Sequence, residues 1–181
     1  MNDLGGFLDS AWRILARGVS DSGSAARLPA LATVSPQGWP EVRTVALRGA
    51  DRAQALLSVH TDPTTAKVAA LRADPRAELH VWEPGAQMQI RLAVRVVVQV
   101  GKAVADIWAQ VPEASRGSYG TTPAPGTLID GPYDYEKPGV QSGFAVLTCR
   151  VHRIDLVHLE VPHRRAVYAG EDGWSGCWVA P

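Results

Sequence analysis

Cysteine is scarce: the 181-residue chain carries two, Cys149 and Cys177. Neither sits in a CxxC pair or a metal-type cluster, so a disulfide framework is excluded and no metal site is expected. His152, His158 and His163 do not have compact ligand spacing either. Net charge is also missing, because 18 Lys+Arg balance 18 Asp+Glu. That balance argues against a general nucleic-acid binder, which shows a basic excess or stripe. Lysine is rare: Lys67, Lys102 and Lys137 stand among many arginines, whose planar fork suits phosphate and carboxylate. The longest apolar run, residues 92–100, is broken by Arg95 and Gln99. It falls far short of the ~20 residues that span a bilayer. The opening MNDLGGFLDSAW has early acids and no cationic apolar run, unlike a secretory signal. A cytoplasmic protein without a membrane or nucleic-acid partner is therefore expected.

The composition that remains, 46% hydrophobic and 20% charged, is that of a globular chain. No linker divides it, and 1–181 reads as a single domain. Leu4, Phe7, Leu8, Ala11, Trp12, Ile14 and Leu15 fall at helical spacing and predict a helix over 4–17. Strands are predicted at 28–35, 41–49 and 55–61, the first two joined by the turn 36–39. Thr64 or Thr65 caps a helix carrying Val68, Ala69 and Leu71, which Asp74-Pro75 ends. A strand at 77–83 and a turn at Pro84-Gly85 follow. Residues 87–100 alternate strictly, with Met88, Ile90, Leu92, Val94, Val96, Val98 and Val100 on one parity. So long a strand suits a barrel, where a bulge or bend lets one strand serve two regions. A short helix at 104–111 leads into a Pro/Gly/Thr-rich loop, 112–142, with one helical turn near 112–118. Strands at 143–160, 164–170 and 174–180 complete the chain, the last two joined by a turn at Asp172-Gly173. The six tryptophans are expected in the core or an interface. The fold class is mainly β, a barrel of six or more mostly antiparallel strands with peripheral helices.

No nucleophile elbow, HExxH, P-loop or GxGxxG is present. Cys149 lies inside a strand pattern and reads as a small buried residue rather than a nucleophile. Arg43 lies mid-strand, either partnered by an anion or reaching solvent from an edge. Thr61, Thr64, Thr65 and Lys67 gather where strand gives way to helix. Hydroxyls, free amides at a helix start and a lysine suit phosphate, although an ordinary capped helix with a solvated lysine has the same residues. Gln89 and Arg91 share one face of the long strand. His163, Arg164 and Arg165 form a basic trio before a strand, equally the mark of a charged turn.

In order along the chain, GWPEVRTVALRG (38–49), LLSVHTDPTTAKVAALRADPRAELHVW (56–82), QMQIRLAVRV (87–96) and RRAVYAGEDGWSGCWVAP (164–181) resemble the pyridoxamine 5'-phosphate oxidase-like, FMN-binding split-barrel superfamily. They look closest to the shorter, oxidase-related branch. The resemblance implies a split barrel, bound FMN, and a homodimer with the flavin at the subunit interface. It places Arg43 against the flavin and its phosphate end, and the backbone of Thr44, Val45, Ala46 and Leu47 beside the ring. His60-Thr61 replace an aromatic-Thr pair. Thr65, Ala66 and Lys67 match a Ser-Arg-Lys phosphate grip from which one cation is missing. Gln89 would approach the ring, and Arg165 matches the arginine before the last hairpin. On the substrate side Arg48 stands at a lysine position, Tyr119 matches a tyrosine, and Val161-Pro162-His163 replaces an Arg-x-His pair, leaving His163. These departures imply a flavoprotein oxidoreductase acting on another small molecule rather than a true pyridoxamine-phosphate oxidase. A non-catalytic flavin- or haem-binding sensor or carrier on the same barrel, and a barrel that only mediates association, are the competing readings.

Overall fold

The computed structural model describes residues 3–181. Helix α1 (Leu4–Ser20) begins where Asp3 accepts the Gly5 and Gly6 amides. That is an N-cap of the usual kind. Strands β1 (Ala30–Val34) and β2 (Pro40–Thr44) form a hairpin, and β3 (Leu47–Asp51) pairs with β4 (Leu56–Thr61). Helix α2 (Ala66–Ala73) precedes β5 (Arg76–Glu83) and the long β6 (Met88–Val100). Short helices α3 (Ala105–Gln110) and α4 (Glu113–Arg116) open the loop segment. The chain ends with β7 (Ala145–His158), β8 (Arg164–Ala169) and β9 (Cys177–Val179).

Among the described residues nine strands form one antiparallel sheet, ordered β2-β1-β5-β6-β7-β4-β3, with β8 on β7 and β9 on β8. The two ends of that path, β2 and β3, are consecutive in sequence and separated by Val45 and Ala46 alone. So short a tether brings opposite edges of the sheet together, and the sheet must curl. It does not close, because β2 and β3 belong to different ladders. The single strand expected over 41–49 is thus two strands, broken where the chain passes from one edge to the other.

The expectation that one long strand serves two regions holds for β7 as much as for β6. Residues 145–150 of β7 pair with β4, and residues 153–158 pair with β8. A bulge lies between, where Ala93 faces Arg153 but Val94 faces Val151. The extra residue re-aims the strand.

The alternation of β6 becomes burial from Met88 to Val96, while Val98 is half-buried and Val100 is exposed at the strand's end. Leu31, Leu79, Leu92 and Ile154 face one another across four neighbouring strands, all fully buried. Strand ladders with an inward apolar parity bury about 0.8 kcal/mol per CH₂. The apolar stripe of α1 (Phe7, Leu8, Trp12, Leu15) joins this core. The helix is held further by Tyr168, whose hydroxyl donates to Leu4 O at 2.9 Å. Arg17 also lies 2.9 Å from the buried Glu83 carboxylate, as an ion pair rather than an aligned hydrogen bond. At Gly18 an added Cβ would sit 2.6 Å from the Ala26 backbone, so the helix passes closer than any side chain allows.

Several local expectations shift. In α2 the buried residues are Val68, Ala70 and Leu71, whereas Ala69 faces solvent. Thr65 is the N-cap by position, but its hydroxyl donates to Asp62 O (2.9 Å) instead of capping. Of the tryptophans Trp12 is buried, while Trp39 is 73% exposed on the β1–β2 hairpin. The last strand is shorter than expected, three residues. Cys149 is buried, and that burial pushes its thiol up to about 12, so it is inert as a nucleophile.

Candidate functional site

Three groups of the expected residues gather in three places. The first is the rim where β2, the end of β4 and α2 meet. Arg43 points inward from β2. Its guanidinium donates to Thr33 Oγ1 (2.6 Å) and Leu31 O (3.3 Å) and pairs with Glu41 (2.7 Å). Lys67, on the first turn of α2, donates to the buried Thr61 hydroxyl at 3.0 Å. Among the described residues Lys67 has no ion pair. Burial lowers its pKa, the Arg43 guanidinium lowers it further, and Asp62 partly offsets both. Arg43 is therefore near enough to repel Lys67. Two cations thus lie near one another beside the start of α2, where Arg43 has Glu41 as its carboxylate partner and the hydrogen-bond partner of Lys67 is a neutral hydroxyl.

Sequence reasoning passed over Asp62, which organises this rim. It is buried, and it accepts the Thr64 amide (2.8 Å), the Thr64 hydroxyl and the Gly120 amide (2.9 Å). Burial alone would raise its pKa, but these hydrogen bonds, with that of the Thr121 amide, outweigh burial and hold the carboxyl below its usual value. The signal for the Asp62–Thr64 half was present in Asp-Pro-Thr-Thr, an Asx-turn sequence. The partner 58 positions away was not.

The second group lies on the outward face of β3 and β4. His60 meets the Phe144 ring edge-on at 4.9 Å. Tyr119 packs against Phe144 (5.0 Å) and Trp108 (6.0 Å). Burial pushes its hydroxyl pKa up, and the nearby Arg48 partly offsets that. Burial first, and the Arg48 charge second, lower the His60 pKa to about 4, so the imidazole is neutral near pH 7. The loop after β6 thus folds back to make a second apolar cluster of Val104, Val111, Tyr119, Phe144 and Val146.

The third group is on the outward face of β5, β6, β7 and β8. Gln89 Oε1 accepts from His80 Nε2 at 3.4 Å. Gln89 is three positions from the inward Leu92, so it lies on the face opposite Arg43. Arg165 is engaged bidentately by Asp155 (3.0 and 2.8 Å), and Arg91 bridges Asp155 (3.6 Å) to Glu78 (2.5 Å). These surround a cavity of about 300 Å³. The hydrogen bonds from Arg165 hold the Asp155 carboxyl down against the opposing effect of burial. His163 is exposed on the segment before β8, two positions before Arg165.

The backbone expected beside a ring, Thr44 to Leu47, is the crossing between the two ladders. There the Val45 amide bonds Pro29 O at 3.0 Å. The family "pyridoxamine 5'-phosphate oxidase, FMN-binding domain" matches residues 9–100, just over half of the chain. The chain belongs to this family. The matched stretch contains Arg43, Lys67 and Gln89 and ends with β6.

A pyridoxamine 5'-phosphate oxidase-related, FMN-binding protein from Nostoc punctiforme shares 25% identity over 96% of each chain, with a TM-score of 0.76. PhzG from Burkholderia lata, solved with tetrahydrophenazine-1-carboxylic acid, is 18% identical over 98% of this chain and 90% of that one (TM-score 0.69). A haem-binding protein from Mycobacterium smegmatis is 20% identical and shares the fold over 88% of this chain and 58% of its own (TM-score 0.55). No curated protein matches the sequence. No helix among the described residues is long and apolar enough to cross a membrane.

Proposed function

We propose that this protein binds FMN and acts as an oxidoreductase on a small molecule, as a cytoplasmic homodimer with flavin at the subunit interface. The observation that carries this is the Arg43–Lys67 pair at the rim. A half-buried lysine repelled by an arginine and lacking a carboxylate of its own is a costly arrangement unless an anion completes it. The FMN phosphate has the required charge. Arg43 and Lys67 would neutralise it, while the Thr61 and Thr65 hydroxyls and the first-turn amides of α2 would supply its hydrogen bonds. Thr44, Val45, Ala46 and Leu47 would offer main-chain groups to the ring edge. Bound FMN would supply the electron or hydride transfer, and the chain's part is binding, orientation and the charge around the ring.

Geometry as well as the family resemblance supports a homodimer. Gln89 and Arg165 lie on the opposite face of the sheet from Arg43, so a flavin held by Arg43 would meet them from a second subunit. On the substrate side Arg48, Tyr119 and neutral His60 form one cluster, in which Arg48 offers a cation to an acidic substrate. His163 and Val161 stand where the oxidase has its Arg-x-His pair, and the exposed position of His163 gives no such pair. That departure supports a substrate other than pyridoxamine phosphate. It also gives the second reading, a non-catalytic flavin or haem carrier, its foothold.

The deciding experiment is an absorption spectrum of the purified protein with and without added FMN. Stoichiometric flavin released on denaturation supports the reading, and a colourless protein indifferent to FMN ends it. Anaerobic titration then separates enzyme from carrier. Flavin reduced by dithionite but by no nicotinamide or other physiological donor favours the carrier.

A further inference from the structure

One acidic residue of the cation rim, Asp62, also reaches the segment that carries Tyr119. Asp62 uses all of its oxygens. Oδ1 accepts the Thr64 amide, Oδ2 accepts the Gly120 amide, and its carbonyl accepts the Thr65 hydroxyl. The first and last of these shape the turn that opens α2 and sets Thr65 and Lys67. The second reaches across 58 positions to the residue after Tyr119. Gly120 is itself fixed on its other side. It has φ +81°, and an added Cβ on Gly143 would lie 2.2 Å from the Gly120 Cα. The backbone that carries Tyr119 is therefore clamped between Asp62 and the segment leading into Phe144. The Asp62–Gly120 hydrogen bond thus joins the 62–65 turn to the backbone beside Tyr119, whose hydroxyl lies near Arg48.

We propose that Asp62 is a positioning residue that couples occupancy of the Arg43–Lys67 pocket to the placement of Tyr119 and Arg48. A phosphate bound at Thr65 and Lys67 fixes the 62–65 turn, and the fixed turn holds Gly120 and orders the substrate-side cluster. The inference rests on the flavin reading and adds a linkage between its two halves: cofactor loading prepares the substrate pocket. A carboxylate suits this role because each oxygen serves a different segment. Asparagine keeps the shape but has one acceptor oxygen, and its amide group would meet an N–H donor.

The test is hydrogen–deuterium exchange of the peptide covering residues 116–122, on the full chain, without ligand, with saturating FMN, and with saturating riboflavin. Riboflavin carries the ring and lacks the phosphate. In the wild type, FMN should slow exchange at 119–121 about fivefold or more, the effect of one firm hydrogen bond. Riboflavin should leave it unchanged. In Asp62→Asn the FMN-dependent slowing should vanish while flavin fluorescence still reports binding. A merely structural pin gives a different result, in which exchange in Asp62→Asn speeds up equally with and without FMN and the ratio between the two states is kept. That outcome overturns the coupling. Should Asp62→Asn fail to fold, Thr64→Val removes a turn-side hydroxyl and keeps the carboxylate. It should lower the ratio of exchange without FMN to exchange with FMN, and an unchanged ratio overturns the proposal. FMN that binds the wild type but leaves 119–121 unaltered defeats the coupling alone, whereas FMN that does not bind defeats the flavin reading and the coupling with it.

Discussion

Replacing Lys67 by methionine separates the phosphate from the ring. Lys67 sits on the first turn of α2, half-buried, with the neutral Thr61 hydroxyl as its hydrogen-bond partner. If its ammonium meets a phosphate there, the lost contact is a charge-assisted hydrogen bond of about 1.5–3 kcal/mol. At about 1.4 kcal/mol per decade, FMN should bind roughly 10- to 150-fold more weakly. Riboflavin, with no phosphate, should bind Lys67→Met as it binds the wild type. Quenching of flavin fluorescence, titrated at one fixed ionic strength because surface charges are screened, measures both constants. The ligand-free protein gives a second readout of opposite sign. Burial and Arg43 depress the Lys67 pKa, so the charged ammonium is less favourable folded than unfolded. A group with a lowered cationic pKa destabilises the fold below that pKa, and the penalty disappears once the pH exceeds the ordinary lysine value. Relief of about 0.5–1 kcal/mol, the scale of a partly exposed charge pair, would raise Tm by about 1–4 °C at pH 7. The gain should fade above about pH 10.5. Equal weakening of FMN and riboflavin would refute the assignment of Lys67 to the phosphate, and a ligand-free variant less stable than wild type would refute the repulsion argument.

Other parts of the molecule give further expectations. The His60 pKa lies near 4 folded against 6.5 unfolded, so the unfolded chain takes up a proton first and stability should fall as pH drops from about 6.5 toward 4. His60→Phe should flatten that window in acid-denaturation curves, and an unchanged slope would contradict the assignment. Asp155→Asn leaves Arg165 and Arg91 without their shared carboxylate and should cost about 1–3 kcal/mol. Because the Asp155 pKa is lowered in the fold, wild-type stability from this cluster is present above the ordinary carboxylate range and lost below it. The variant's denaturant midpoint should therefore be less sensitive to acid. Leu15→Ala, at a position 1% exposed under α1, should lower stability by about 2–5 kcal/mol in denaturant titration, and a cost under 1 kcal/mol would mean that α1 is not part of the core. Gly143→Ala forces a Cβ against the Gly120 backbone and should speed proteolysis within 117–140 before the barrel unfolds.

Local chemistry made much of this protein legible before any tertiary information. The period-2 run of β6 buries on the parity that the sequence assigns as far as Val96, and its length suited a curved sheet. The apolar spacing of α1 and the Thr-Thr-Ala-Lys start of α2 appear where they were read. The sequence misjudged residues 41–49 because a β-rich run records strand preference, not which ladder each half joins. It misjudged Ala69 because a short helix of small residues has little periodic signal. Asp62 was passed over since its decisive partner is a backbone amide, and an amide has no signature in sequence. Gln89 and Arg165 were assigned together with Arg43, but their faces were set only by register. Arg165 is bound to Asp155, a residue with no mark in sequence to distinguish it from other acids.

The order of residues thus determined that the chain is mainly β, that its long strands alternate inward and outward, and which cations were available to hold an anion. Periodicity and composition act through nearest neighbours, so they are written in the chain itself. The folded molecule alone decided that two edges meet at Val45–Ala46, that Arg43 and Lys67 become neighbours, and that Asp62 ties one end of the site to the other. Those facts depend on contacts between segments far apart in the chain, where distance along the sequence carries no information about distance in space.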